Sequence, residues 1–203
     1  MIKLLTAPKE AIKEAKKKRN FKKTIAYLLL ASLLITGAVA IFLASGGGTA
    51  AQFLSLRTSV SWGDIWQAAT LVFAVVFLGA LFTGFLVKLA MSALGEKSKG
   101  YYEGLTSIVY ALVAPSICAI IASLVMAVAF VLNSILITWF VAVPILIAGA
   151  VLGLATGVRA WKELFEAEWI VAFLGYTVLS GGAAIVSYIL MQYLTWLMVS
   201  RFL

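Results

Sequence analysis

Long apolar stretches separated by short polar segments run through this chain from residue 25 to its end. About 20 apolar residues, rising 1.5 Å each along a helix, cross the hydrocarbon core of a bilayer. That measure predicts spans at about 25–44, 68–91, 106–131, 135–156 and 169–199. No residue between Glu103 and Arg159 is charged. The stretch is too long for one crossing and fits two antiparallel helices, with Asn133 and Ser134 as the polar turn. The last stretch, 169–199, is longer than a straight crossing needs, and Gly181 with Gly182 can loosen it near the middle. A kinked or tilted span is expected there, a broken pair of shorter segments being the alternative. The pattern predicts an all-α fold, a polytopic membrane bundle of five transmembrane helices over residues 25–203, preceded by a basic interfacial helix within 1–24.

Charge sets the expected orientation, because short loops rich in Lys and Arg stay on the cytoplasmic side. Nine Lys/Arg lie between Lys3 and Lys23, three more are Lys88, Lys97 and Lys99, and two are Arg159 and Lys162. Only Arg57 and Arg201 fall in the alternate segments. The N-terminus is therefore expected inside and the C-terminus outside, in the plasma membrane of a prokaryote. A signal peptide has a brief apolar core followed by a cleavage site, whereas Ile25 to Ala44 continues for a bilayer width, which reads as a retained span.

Composition narrows the chemistry. The chain is 64% hydrophobic and 12% charged, against roughly 45–50% and 25% in soluble domains. It has no histidine and one cysteine, Cys118, so imidazole bases, histidine metal ligands and an intrachain disulfide are excluded. The net charge of +8 is concentrated in the first two dozen residues rather than spread over a folded surface, which favours a membrane role over nucleic acid. No phosphate-binding loop, dinucleotide fingerprint or nucleophile motif is present. Glu163, Glu166 and Glu168 read as solubilising groups. The expectation is a non-enzyme with no cofactor and no metal.

Several local features are candidates for contact. Thr6 can cap a short helix with Pro8 in its tolerant first turn. Leu5, Pro8, Ile12 and Ala15 would share one side. Lys9, Lys13, Lys16, Lys17, Lys18 and Arg19 would form a basic surface for membrane lipid, anionic lipid above all, or for a membrane or cytoplasmic protein. Ser61 and Asp64 have capping-box spacing before the second span, where Trp62 and Trp66 suit the interface. Gly149, Gly153 and Gly157 recur every fourth residue, and Ala80 with Gly84 makes a second small pair; both suit close packing inside the bundle, dimerisation being the alternative. Pro115 and Pro144 interrupt the ladders of their helices and favour kinks.

GYYEGLTSIVYALVAP, Gly100 to Pro115, resembles the segment with which Yip1 membrane domains enter a span, a glycine-bearing loop followed by a tyrosine, here Tyr110, and a proline, here Pro115. KLLTAPKEAI resembles the proline-containing lead-in of that family in its compact prokaryotic form. The resemblance implies five spans. Eukaryotic relatives are associated with vesicle traffic and with binding of small membrane-attached GTPases, a role that is not expected here, since the short segment 1–24 departs from the extended cytoplasmic domain of those relatives. The expected function is a membrane organiser or adaptor acting at the cytoplasmic face. The rivals are a transporter or channel for an uncharged or lipid-like solute and an accessory subunit of a larger membrane complex.

Overall fold

A computed structural model describes residues 7–47, 62–93 and 100–199. Among the described residues there is no strand. Helix α1 covers Pro8–Lys18, α2 Phe21–Phe42 with a wider π turn over Leu43–Gly47, α3 Trp62–Ala93 and α4 Tyr101–Val131. Helix α5 runs over Ile135–Phe165 and contains a π turn at Thr138–Ala142; α6 covers Trp169–Val199. Four of them, α2 to α5, are long and apolar enough to cross a membrane. The chain is a multi-pass integral membrane protein.

The exterior fits lipid. Val131, Phe140, Val178 and Ile170 are largely exposed, a surface that water would not tolerate. Inside, small hydroxyls replace bulk: Thr83, Ser107, Ser116 and Ser123 are buried, and each donates to a carbonyl three or four residues back at 2.7–2.9 Å. A polar atom in hydrocarbon needs such a partner, and a helix can supply it from its own backbone.

Helix α4 is the centre of the bundle, packed against α2, α3 and α5, while α6 lies against α3 and α5. The two small-residue sets make these contacts. A Cβ on Gly153 would stand 2.6 Å from Pro115 Cγ and 2.7 Å from the Ala111 carbonyl oxygen. One on Gly149 would meet Cys118 Cβ at 2.5 Å, and one on Gly157 would overlap the Tyr176 ring of α6. Ala80 is buried, and Gly84 faces Leu105 and Tyr101 of α4. The strip on α5 thus serves two partners in succession, α4 and then α6.

Helix boundaries exceed the apolar windows. α4 begins at Tyr101 rather than near 106, and α5 continues to Phe165 rather than stopping near 156. Hydropathy marks where lipid contact fades, whereas a helix continues until a cap ends it. Here the stops are Gly100, at φ 154°, and Glu166, left-handed at φ 58°. A Cβ on Gly100 would also come within 3.0 Å of Lys88 Cα. The turn at Asn133, φ 50°, falls where the polar pair predicts it. α6 is one continuous helix, so the broken alternative does not form. Pro115 lies inside α4, and Pro144 sits in the first turn of the Val143–Phe165 segment, directly after the π turn. Thr6 and Ser61, proposed as caps, lie outside the described residues.

Candidate functional site

Helix α1 starts where Pro8 needs no amide donor and its φ is already helical, and it ends at Arg19, left-handed at φ 39°, whose N–H donates to Ala15 O at 2.9 Å. Asn20 then opens α2, its Oδ1 accepting from Lys23 N at 3.1 Å. This two-residue break lets the chain turn from α1 into the first span. It also brings α1 against the ends of α4 and α5: Ile12 is fully buried in one cluster with Leu105, Val109, Ala160 and Leu164. Full burial of such a side chain contributes about 1.5–3 kcal/mol when the reference is water.

Polar contacts fix the same docking. Arg19 Nη2 donates to Glu103 Oε1 at 2.6 Å, and Gly100 N donates to the other oxygen, Oε2, at 3.0 Å. Glu103 is only 5% exposed. A carboxylate buried to that degree is tolerated because both oxygens are bonded and a cation stands beside it. Tyr102 Oη donates to Ala15 O at 3.1 Å, a second bond to a carbonyl that already accepts from Arg19 N. Lys16 reaches Glu166 at 2.6 Å beyond the end of α5. Glu14 receives Lys18 at 3.4 Å and Lys23 at 3.6 Å. Such exposed pairs each contribute about 0.2–1 kcal/mol; removing Arg19 would cost more, because it would leave the buried Glu103 carboxylate without its cation. Nearby, Lys162 Nζ stands 4.3 Å from the Trp169 ring centroid.

These contacts divide the basic surface expected from sequence. Lys16, Lys18 and Arg19 are engaged with carboxylates of the protein. Lys9, Lys13 and Lys17 are exposed and have no ion pair among the described residues. Four residues apart, they form a single stripe, roughly 150° around the helix from the face bearing Ala11, Ile12 and Ala15 at about 100° per residue. α1, the start of α4 and the turn from α5 to α6 therefore share one end of the bundle.

Comparison with known protein families, curated proteins and solved structures finds no match to this chain.

The other candidate positions have structural surroundings. Tyr110 is buried, its ring centroid 6.2 Å from that of Tyr27. With Glu14, Lys18, Lys23, Asn20, Thr24 and Tyr102 it lines a cavity of about 120 Å³ beneath α1. Pro115, Gly153, Tyr176 and Ser180 line a mainly apolar cavity of about 320 Å³ between α4, α5 and α6; Pro144 is not among its walls. Among the described residues no three His, Cys, Asp or Glu side chains converge. Sequence reasoning passed over Glu103, using it only as a charge boundary. Its signal was the Gly100-x-x-Glu103 spacing before an apolar run, since a Glu at the third helical position reaches back to the amide ahead of the helix.

Proposed function

We propose that the protein is a non-enzymatic membrane organiser or adaptor of Yip1-like type, with five spans and its α1 end in the cytoplasm, and that this end recruits an acidic protein partner. The observation that carries the reading is the stripe of Lys9, Lys13 and Lys17, held on a docked helix yet without a carboxylate partner among the described residues. A charged surface fixed in orientation loses little entropy when a partner arrives, and it accelerates encounter with an oppositely charged one. The fourteen-to-two division of Lys and Arg supports the cytoplasmic placement, with α6 as the fifth crossing.

The test is crosslinking in nanodiscs of neutral lipid supplied with cytoplasmic extract. Changing Lys9, Lys13 and Lys17 together to Gln should reduce captured acidic protein several-fold, while Lys16→Gln with Lys18→Gln should reduce it less. Raising salt should weaken the wild-type contact, because screening already limits its reach to roughly 8 Å at physiological ionic strength. Equal capture by all three proteins overturns the adaptor reading. Protection of α1 by anionic lipid alone, with no captured protein, assigns the stripe to the membrane instead. A second reading, passage of an uncharged or lipid-like solute, is favoured by the apolar cavity beside Pro115; flux of a neutral solute in liposomes, unchanged by the lysine variant, would support it.

A further inference from the structure

Beyond the shared turn at Glu166, α5 and α6 leave a groove of about 730 Å³ between them, open along its side. Leu154, Ala155 and Val158 of α5 and Ile170 and Phe173 of α6 form its walls, and Pro8 of α1 closes one part of the rim. The volume is that of a small-molecule site, typically 300–1,000 Å³, and the walls are mostly apolar, suited to a hydrocarbon chain. The polar side chains at the groove are Thr156 and Arg159; Arg159, its charged group, is partly buried and without an ion pair or hydrogen bond among the described residues. Lys162 and Trp169, stacked at 4.3 Å, add a second cation and an interfacial ring close by.

Depth fits a lipid. The 31 residues of α5 extend about 46 Å at 1.5 Å each, close to a bilayer of 40–45 Å including headgroups. Arg159 lies six residues before the last residue of that helix, about 9 Å along the axis, near the boundary between hydrocarbon and headgroups. From there the groove follows α5 back to Val151, about 12 Å toward the bilayer centre. A guanidinium presents paired N–H donors matched to phosphate oxygens. A headgroup that itself carries a cation would set that charge against Arg159 and Lys162; an anionic headgroup would not.

We infer that this groove holds one acyl chain of an anionic phospholipid whose phosphate is bound by Arg159. The site is separate from the α1 stripe and does not depend on the adaptor reading. The experiment is native mass spectrometry of the full chain in mild detergent, supplied with equal phosphatidylglycerol and phosphatidylcholine of identical chains. Wild type should retain one phosphatidylglycerol in preference to phosphatidylcholine. Arg159→Gln should lower that retention about fivefold, the effect of one basic residue at an anionic headgroup, and Arg159→Lys should lower it less. Ala155→Trp, at an exposed groove position, should reduce both lipids by filling the space. The Lys9, Lys13 and Lys17 triple variant should retain the lipid as wild type does. Unchanged retention in Arg159→Gln or in Ala155→Trp, loss in the lysine variant instead, or a dimer free of bound lipid in wild type would each overturn the inference; Ala155→Trp still decides it if Arg159→Gln does not fold.

Discussion

Replacing Gly153 with alanine should separate α4 from α5. Proline has no amide hydrogen, so Pro115 leaves the Ala111 carbonyl without its usual donor four residues on. Gly153 lies over that carbonyl and over the proline ring; a Cβ there would be 2.7 Å from Ala111 O, 2.6 Å from Pro115 Cγ and 2.9 Å from Pro115 Cδ. Neither a backbone oxygen nor a pyrrolidine ring can swing away. Carbon atoms prefer about 3.5–4.0 Å, so the helices must part by on the order of 1 Å, and a gap of that size forfeits a quarter to a half of each contact it opens. Lipid provides no compensating hydrophobic force between helices. Overpacking of this kind costs about 1–3 kcal/mol, offset by up to about 1 kcal/mol because alanine is the better helix former. A net loss of about 1–2 kcal/mol lowers the melting temperature by roughly 3–6 °C in a chain of this size. The assay is heating in detergent and in nanodiscs followed by gel filtration of the surviving monodisperse protein. Gly181→Ala is the internal control, since nothing lies within 4 Å of its added Cβ, and it should melt at or slightly above wild type. A Gly153→Ala protein as stable as the Gly181→Ala protein would refute the argument.

Sidedness can be read with an impermeant thiol reagent in a Cys118→Ala background. Cysteines at Lys17 and at Glu168, both exposed at the α1 end, should label from one side of the membrane, and one at Leu132, exposed in the turn between α4 and α5, from the other; labelling of all three from one side would contradict the bundle. Glu103→Gln removes the charge that holds Arg19 and weakens the acceptor for Gly100 N, so α1 should exchange its amide hydrogens faster by a factor of about 5–30, corresponding to about 1–2 kcal/mol, with α2 and α3 unaffected; unchanged exchange in α1 would mean that the apolar face alone docks it.

The helices of the bundle are legible because the apolar runs and the Asn133–Ser134 break are local properties of the chain. Their ends are less so. α5 continues nine residues past the expected 156, since Arg159 and Lys162 can stay helical while their long stems carry charge toward the headgroups. The glycine strip was legible as a period of four, but the period left interior packing and dimerisation both open, and the contacts with α4 and α6 decide for the interior. Its partners were not legible. Whether Gly153 meets Pro115, and Gly157 meets Tyr176 rather than a residue of α4, depends on how each helix is rotated and tilted, which no local pattern contains.

The basic segment shows the same limit most plainly, and there it changes the functional reading. Composition presents Lys9, Lys13, Lys16, Lys17, Lys18 and Arg19 as one continuous surface. Two of those cations are matched by acids far away in the chain, Arg19 by Glu103 at a separation of 84 residues and Lys16 by Glu166 at 150. A third, Lys18, is matched within its own helix by Glu14. Folding thus engages half of the cluster, two of its cations holding α1 in place and the third pairing within the helix, and it selects the other half, every fourth residue, by turning it away from the docked face. A disordered basic tail would attract any polyanion with all six charges. A docked helix attracts with three, in a fixed row, and loses that selectivity when its anchor at Glu103 is removed. The Glu103→Gln protein should therefore broaden what α1 binds as it loosens α1, a gain of promiscuity that a simple sum of charges does not produce.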